Sequence, residues 1–274
     1  MPAPDPAPAL PPAARSGRAG TTEVPVLELE GIVKSFGTVK ALQGAGITVP
    51  PRQVVALVGD NGAGKSTLIK VISGVLQPDE GRIRVDGRLV TLHGPQDSRR
   101  HGIETVYQDL ALAPDLDAMA NLFLGREILR PGLPGRLGML DKAAMRRDGE
   151  RAFTRLSVGL QDPTSPVGTM SGGQRQGIAV ARAVLWASRV VLMDEPTAAL
   201  GVVQTARVKA LIQSVRDQDI SVVLISHNLP FVFEVADRVE VLRLGRRVAT
   251  FERSEATAQK VLAAMTGVDT VPDL

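Results

Sequence analysis

Gly59-Asp60-Asn61-Gly62-Ala63-Gly64-Lys65-Ser66-Thr67 has the spacing G-x-x-x-x-G-K-[ST]. Each residue type in it suits a polyphosphate. The glycines let the backbone curl until successive N–H groups point inward at phosphate oxygens. A helix opening near Lys65 adds the positive end of its dipole. Lys65 has the reach for β- and γ-phosphates, and the Ser66 hydroxyl suits Mg²⁺. A second phosphate-seeking motif follows at Met170-Ser171-Gly172-Gly173-Gln174, a capping serine and two glycines opening another helix. Between helix-rich stretches, Asp194-Glu195 ends an apolar run. Asp194 is placed to hold Mg²⁺, and Glu195 to orient or deprotonate an attacking water. A pair of acids favours hydrolysis over phosphoryl transfer. One nucleotide does not need two phosphate-binding motifs, which implies an ATP site shared by two subunits.

These residues need elements to hold them. Val54-Val55-Ala56-Leu57-Val58, Val190-Val191-Leu192-Met193 and Val222-Val223-Leu224-Ile225 are apolar without alternation, as parallel strands covered on both faces are. Leu68, Val71, Ile72 and Val75 have helical spacing, as do Val208, Leu211, Ile212 and Val215. Strand–helix alternation implies an α/β core with a parallel sheet. Arg82 to Val90 alternates across Asp86-Gly87, a hairpin signal. Val239 to Phe251 reads as a second hairpin turning near Gly245. With Leu27–Val49, both hairpins are expected in an antiparallel layer beside the core. Residues from about 109 to 185 read as an inserted helical subdomain, with loops at Arg130-Pro131-Gly132 and Asp162-Pro163. No internal repeat is visible, so the chain holds one nucleotide-binding unit.

Composition narrows the classes. The 274 residues are 44% hydrophobic and 22% charged, as in an ordinary globular protein. Aromatics at 3% are too few for a base-stacking platform, and a net charge of +3 is modest; both speak against a nucleic-acid partner. The absence of cysteine rules out disulfides and thiolate metal sites and fits a cytosolic chain. No apolar run approaches the length of a membrane span. Residues 1–24 form a Pro/Ala-rich stretch without a secretory apolar core and are expected to be a disordered tail. Residues 25–252 are expected to form the nucleotide-binding domain, and 253–274 a C-terminal helix and tail.

Together, the Gly59–Thr67 loop, Ser171-Gly172-Gly173-Gln174 about twenty residues before the strand ending in Asp194, and Asp194-Glu195 resemble the ATP-binding-cassette ATPases. The resemblance runs from about residue 26 to 250. It implies an α/β fold: a P-loop NTPase (RecA-like) core with an antiparallel β layer and an inserted α-helical subdomain. It also implies a head-to-tail dimer in which the P-loop of one subunit and the signature of the other enclose each ATP. By the same resemblance Phe36 lies against the adenine ring, and Gln108 touches Mg²⁺ and the attacking water. His227 is the switch histidine at the γ-phosphate. One departure stands out: in Ala198-Ala199-Leu200-Gly201 the last position is an aspartate in many members. Gly201 lacks the carboxylate that helps couple the two sites.

Gly62 to Leu68, His101 to Gln108, Asn121 to Glu127 and Ser226-His227-Asn228-Leu229 resemble the monosaccharide importers. Most of that group carry two cassettes in one chain and this chain has one, which implies a homodimer. The partners implied are integral membrane permease subunits and, indirectly, an extracytoplasmic sugar-binding protein. The location implied is peripheral, on the cytoplasmic face of the cell membrane. Rival readings are an exporter subunit, which shares the hydrolytic motifs, and a cassette ATPase acting on ribosomes or DNA. Members of the latter kind commonly fuse two cassettes or insert long coiled coils. A guanine-nucleotide switch would need an Asn-Lys-x-Asp motif, which the chain lacks.

Overall fold

The computed structural model describes residues 23–198 and 200–268. The strand β1 (Leu27–Phe36) pairs with β2 (Val39–Val49), and β3 (Val54–Val58) leads through a loop into helix α1 (Lys65–Ile72). The β4 (Glu80–Val85) and β5 (Arg88–Val90) hairpin precedes α2 (Pro95–Arg100) and β6 (Ile103–Val106). Helices α3 (Ala118–Phe123), α4 (Leu133–Arg136), α5 (Lys142–Arg155) and α6 (Gly172–Trp186) separate β6 from β7 (Val190–Asp194). Then follow α7 (Val202–Arg216), β8 (Ser221–Ile225), α8 (Leu229–Val235), β9 (Arg238–Arg243), β10 (Arg246–Glu252) and α9 (Ala258–Thr266).

The strands form two sheets. One is antiparallel, in the order β2-β1-β4-β5; the other has six strands in the order β10-β9-β3-β8-β7-β6. In the larger sheet β9, β3, β8, β7 and β6 run parallel, and only β10 is antiparallel. The unalternating runs are explained by side chains that alternate between two cores. Val54, Ala56 and Val58 point into a core shared with α5 to α8, and Val55 and Leu57 into a core shared with α1 and the smaller sheet. The strands β7 and β8 divide their residues the same way. Truncating one of these fully buried leucines would cost about 2–5 kcal/mol. The sheet is therefore a rigid base for whatever stands at its carboxyl edge.

Three expectations fail in part. The hairpin near Gly245 joins the main sheet, because β9 pairs in parallel with β3, from Val55↔Arg238 to Val58↔Val241. Val75 continues the apolar spacing of α1 but lies beyond it: the helix stops at Ser73, and Val75 is half exposed. The Asp86-Gly87 hairpin forms as expected. Between β6 and β7, about 109–117 and 156–171 are mostly loop rather than helix. The Pro/Ala-rich tail expected over 1–24 lies, but for its last two residues, outside the described residues, as do 269–274.

Candidate active site

The phosphate loop is shaped by what packs beneath it. Gly59, at the end of β3, has φ +156, and a Cβ there would run into the Leu242 carbonyl of β9. Gly64 has φ +103, and its Cβ would sit 2.8 Å from the Ala41 carbonyl of β2. Only glycine fits a loop pressed against both sheets at once. Gly245, in the β9–β10 turn, completes the brace: its N–H donates to Ala63 O (2.9 Å) and its carbonyl accepts from Gln43 N (2.8 Å). Asn61, Gly62 and Ser66 face solvent, while Ala63 is buried and Thr67 half-buried.

Lys65 folds back into this loop, donating to the carbonyls of Gly59 (2.6 Å) and Asp60 (3.0 Å). Burial lowers its pKa; Glu195, Asp60 and Asp194 pull the other way. Across from it, at the carboxyl edge of β7, burial raises the pKa of Asp194, reinforced by the neighbouring Glu195 charge and opposed by Lys65 and Lys70. Lysine and carboxylates are thus one electrostatic unit: an ammonium and two acids at a strand edge, each partly stripped of water.

Glu195 adopts φ +49, a left-handed conformation that costs a non-glycine residue about 1–2 kcal/mol. Its N–H donates to Ile225 O (3.0 Å) and its own carbonyl accepts from Ala198 N (3.1 Å), which hold the turn. The turn brings the carboxylate to His227, with Nδ1 2.9 Å from Glu195 Oε1. Glu195 Oε2 is buried and, among the described residues, has no hydrogen-bond partner. His227 is itself positioned from both sides. Ser226 Oγ accepts from Asn228 N (3.1 Å), and Asn228 Oδ1 caps α8 through Phe231 N (3.1 Å). The imidazole is otherwise largely exposed.

The remaining expected residues make no hydrogen bond with this centre among the described residues, although Gln108 follows β6 at the same sheet edge, where Val106 pairs with Met193. Phe36 ends β1 with its side chain half exposed and Lys34 Nζ 6.0 Å from its ring centroid. It is an open aromatic face and not a core phenylalanine. Gln108 is exposed in the turn after β6. Ser171 and Gln174 form a capping box on α6: Ser171 Oγ accepts from Gln174 N (3.3 Å), and Gln174 Oε1 accepts from Ser171 N (3.1 Å). The first-turn N–H groups of Gly172 and Gly173 have no intrahelical acceptor. Beside them lie Leu200 and Gln204, and none of the signature residues bonds the Gly59–Thr67 loop. Gly201 is the N-cap of α7 with an extended backbone and no side chain to cap it.

Sequence reasoning missed the props. Arg182 of α6 donates to the carbonyls of Leu110 (2.9 Å) and Ala111 (2.7 Å), two residues in the left-handed region just after Gln108. Asn121, fully buried, accepts from Ala113 N (2.8 Å) and donates to Ala113 O (3.0 Å). The signal available was a polar residue on an apolar helix face. Among the described residues no cluster of three His, Cys, Asp or Glu could hold a metal. Mg²⁺ does not demand one, since it keeps several waters and binds phosphates through one or two protein groups.

A P-loop leading from β3 into a helix, with a carboxylate pair at the carboxyl edge of β7 one strand beyond its neighbour β8, defines a nucleoside-triphosphatase built on an α/β sheet. The family model described as ABC transporter matches residues 42–198. The chain belongs to the ABC transporter family. It is 48% identical over 250 residues to the fructose import ATP-binding protein FrcA of Rhizobium meliloti, spanning 90% of this chain and 96% of that one. It is 42% identical to the xylose/arabinose import ATP-binding protein XylG of Sulfolobus acidocaldarius, over 88% and 94% of the two chains. The ribose import ATP-binding protein RbsA 2 of Burkholderia pseudomallei is 41% identical, but this chain spans only 47% of its length. Among solved structures, the ADP conformation of MJ1267, an ATP-binding cassette of an ABC transporter, superposes with a TM-score of 0.75 at 26% identity. That match covers 91% of this chain and 97% of the other.

Proposed function

We propose that the chain is the ATP-hydrolysing subunit of an importer for a monosaccharide. The observation that carries the hydrolytic part is the Glu195–His227 pair beside Lys65. Its Oε1 is engaged by His227 Nδ1, so the buried, unpartnered Oε2 is the oxygen left to accept a proton. Through it Glu195 takes a proton from water as that water attacks the γ-phosphorus and the bond to the ADP oxygen breaks. Lys65 and the inward N–H groups of the Gly59–Thr67 loop hold the phosphates, and Phe36 supplies a face for adenine. Ser66, Gln108 and Asp194 would hold Mg²⁺, which neutralises phosphate charge when bound. The half-buried acid at the strand edge and the exposed Ser66 hydroxyl suit that ion.

The signature at Ser171–Gln174 makes no bond to its own P-loop, which supports a homodimer in which each signature closes the other subunit's site. The proposed partners are permease subunits in the membrane and, through them, an extracytoplasmic sugar-binding protein. No helix among the described residues is long and apolar enough to cross a bilayer, and the place proposed for the chain, on the cytoplasmic face of the membrane, follows from the permease partners. The sugar assignment draws on the fructose, xylose/arabinose and ribose import relatives.

A Glu195→Gln variant tests the centre. Gln keeps an oxygen for His227 but cannot take the proton, so phosphate release should fall about 10²–10⁴-fold while ATP affinity stays within about twofold. Wild-type turnover in this variant would remove Glu195 from its role.

A further inference from the structure

The segment between α3 and α5 carries a feature that ATP hydrolysis leaves unexplained. Residues 129–139 are exposed throughout, apart from Gly135. Leu129 is 50% exposed, Leu133 69%, Leu137 72% and Met139 52%. This is no frayed loop. Arg130 N donates to Met139 O (2.9 Å), Met139 N to Pro134 O (3.0 Å) and Asp141 N to Ile128 O (2.7 Å). Gly135 is buried because its α-carbon packs on the Arg130 carbonyl. A hydrogen-bonded protrusion therefore holds four large apolar residues at least half exposed to water, where much of their apolar surface contributes nothing to the fold.

Its charges are one-sided. Residues 128–140 contain Arg130 and Arg136 and no acid. Among the described residues neither arginine has an ion-pair partner, whereas Arg84, Arg146 and Arg189 each do. Apolar side chains interleaved with unpaired arginines match the boundary between anionic headgroups and acyl chains. There leucines are buried, and guanidinium groups on long stems reach phosphates.

We propose that the Leu129–Met139 protrusion is a membrane-contacting element that seats in an anionic lipid surface. The contact is independent of nucleotide and of which solute is moved.

Co-sedimentation of the full chain with vesicles of phosphatidylcholine, with and without phosphatidylglycerol, tests it. The wild type should pellet with phosphatidylglycerol-containing vesicles, and less so as salt rises. Leu133→Ser with Leu137→Ser should weaken partitioning at least about tenfold. Arg130→Gln with Arg136→Gln should weaken it roughly tenfold to thirtyfold. These side chains are exposed, so both double variants should keep the wild-type melting temperature and ATP turnover, which separates this proposal from the hydrolytic one. Three results would overturn it: wild-type protein left in the supernatant, variants that bind like wild type, or binding only to vesicles that contain a permease. The last would make the protrusion a protein-docking site.

Discussion

Arg182→Ala should slow ATP turnover without loosening ATP. The guanidinium donates to the carbonyls of Ala111 (2.7 Å) and Leu110 (2.9 Å), and those residues sit at φ 46 and φ 62. Hydrogen bonds from a charged donor contribute about 1.5–3 kcal/mol each. Arg182 is only half-buried, so water replaces part of what is lost and the low end applies: about 2–3 kcal/mol for the pair. Two left-handed non-glycine residues cost about 1–2 kcal/mol each and need that support. A swing of 2 kcal/mol shifts an equilibrium about thirtyfold. The turn bearing Gln108 then spends most of its time out of place, and kcat should fall about ten- to thirtyfold. The phosphate loop is braced separately by Gly245 and should keep its affinity within about twofold. Arg182→Lys reaches one carbonyl and should fall between. Phosphate release, nucleotide titration and hydrogen exchange at residues 107–112 read the three quantities. The reasoning fails if exchange at the turn accelerates while kcat stays at the wild-type value, or if affinity drops as far as kcat.

Other perturbations test the frame around the site. Glu240 is fully buried on β9, accepts from Thr48 N of β2 (3.2 Å) and pairs with Arg247 (3.2 Å) and Arg238 (3.4 Å). Glu240→Ala leaves Arg238 with Glu252 (3.3 Å) and Arg247 with the Thr48 hydroxyl (3.2 Å), both partly exposed, and should cost about 1–3 kcal/mol in urea unfolding; a loss under about 0.5 kcal/mol would deny that it ties the sheets together. Asp162 is held at a pKa of about 2 by hydrogen bonds from the Thr164 and Ser165 hydroxyls and the Thr164 N–H. Its folded pKa lies below the ordinary 3.8, so its contribution is complete above that value and is lost as pH falls towards 2. Asp162→Asn should lower stability at neutral pH, where the carboxylate's contribution is complete, and flatten the acid limb so that the two proteins converge as pH falls towards 2. Gly201→Asp adds a cap to α7 on a backbone any residue can adopt, displacing only the flexible end of Gln204. Melting should rise about 1–2 °C for about 0.5 kcal/mol; a fall would show the position will not take a carboxylate.

What could be read without coordinates was local. The runs at β3, β7 and β8 announce strands because both faces of each are covered, and Asp86-Gly87 announces a turn because few pairs accept two left-handed residues. The β9–β10 hairpin was equally visible, but a hairpin looks the same in either sheet. Its placement rests on the long-range pairing of β9 with β3. Val75 misled for a similar reason: helical spacing persists by accident after Gly74 turns left-handed against Gly94. Asn121 and Arg182 showed only as polar residues on apolar helix faces, and their partners could not be read because these are backbone carbonyls and amides that every residue owns.

The order of residues alone determined the chemistry available. A glycine loop, a lysine and a hydroxyl at fixed short spacing form a phosphate cradle wherever a strand feeds a helix, because its donors come from consecutive residues. Tertiary structure decided what that chemistry acts with. Glu195 and His227 lie thirty-two positions apart and meet only because β7 and β8 are neighbours in register, Asp194 opposite Ile225. The pairing of β8 with β3 on its other side brings Lys65, at the end of the β3 loop, into the field of both carboxylates. Spacing along a chain can specify a loop, but which strand edges share a site is settled by burying both faces of the sheet.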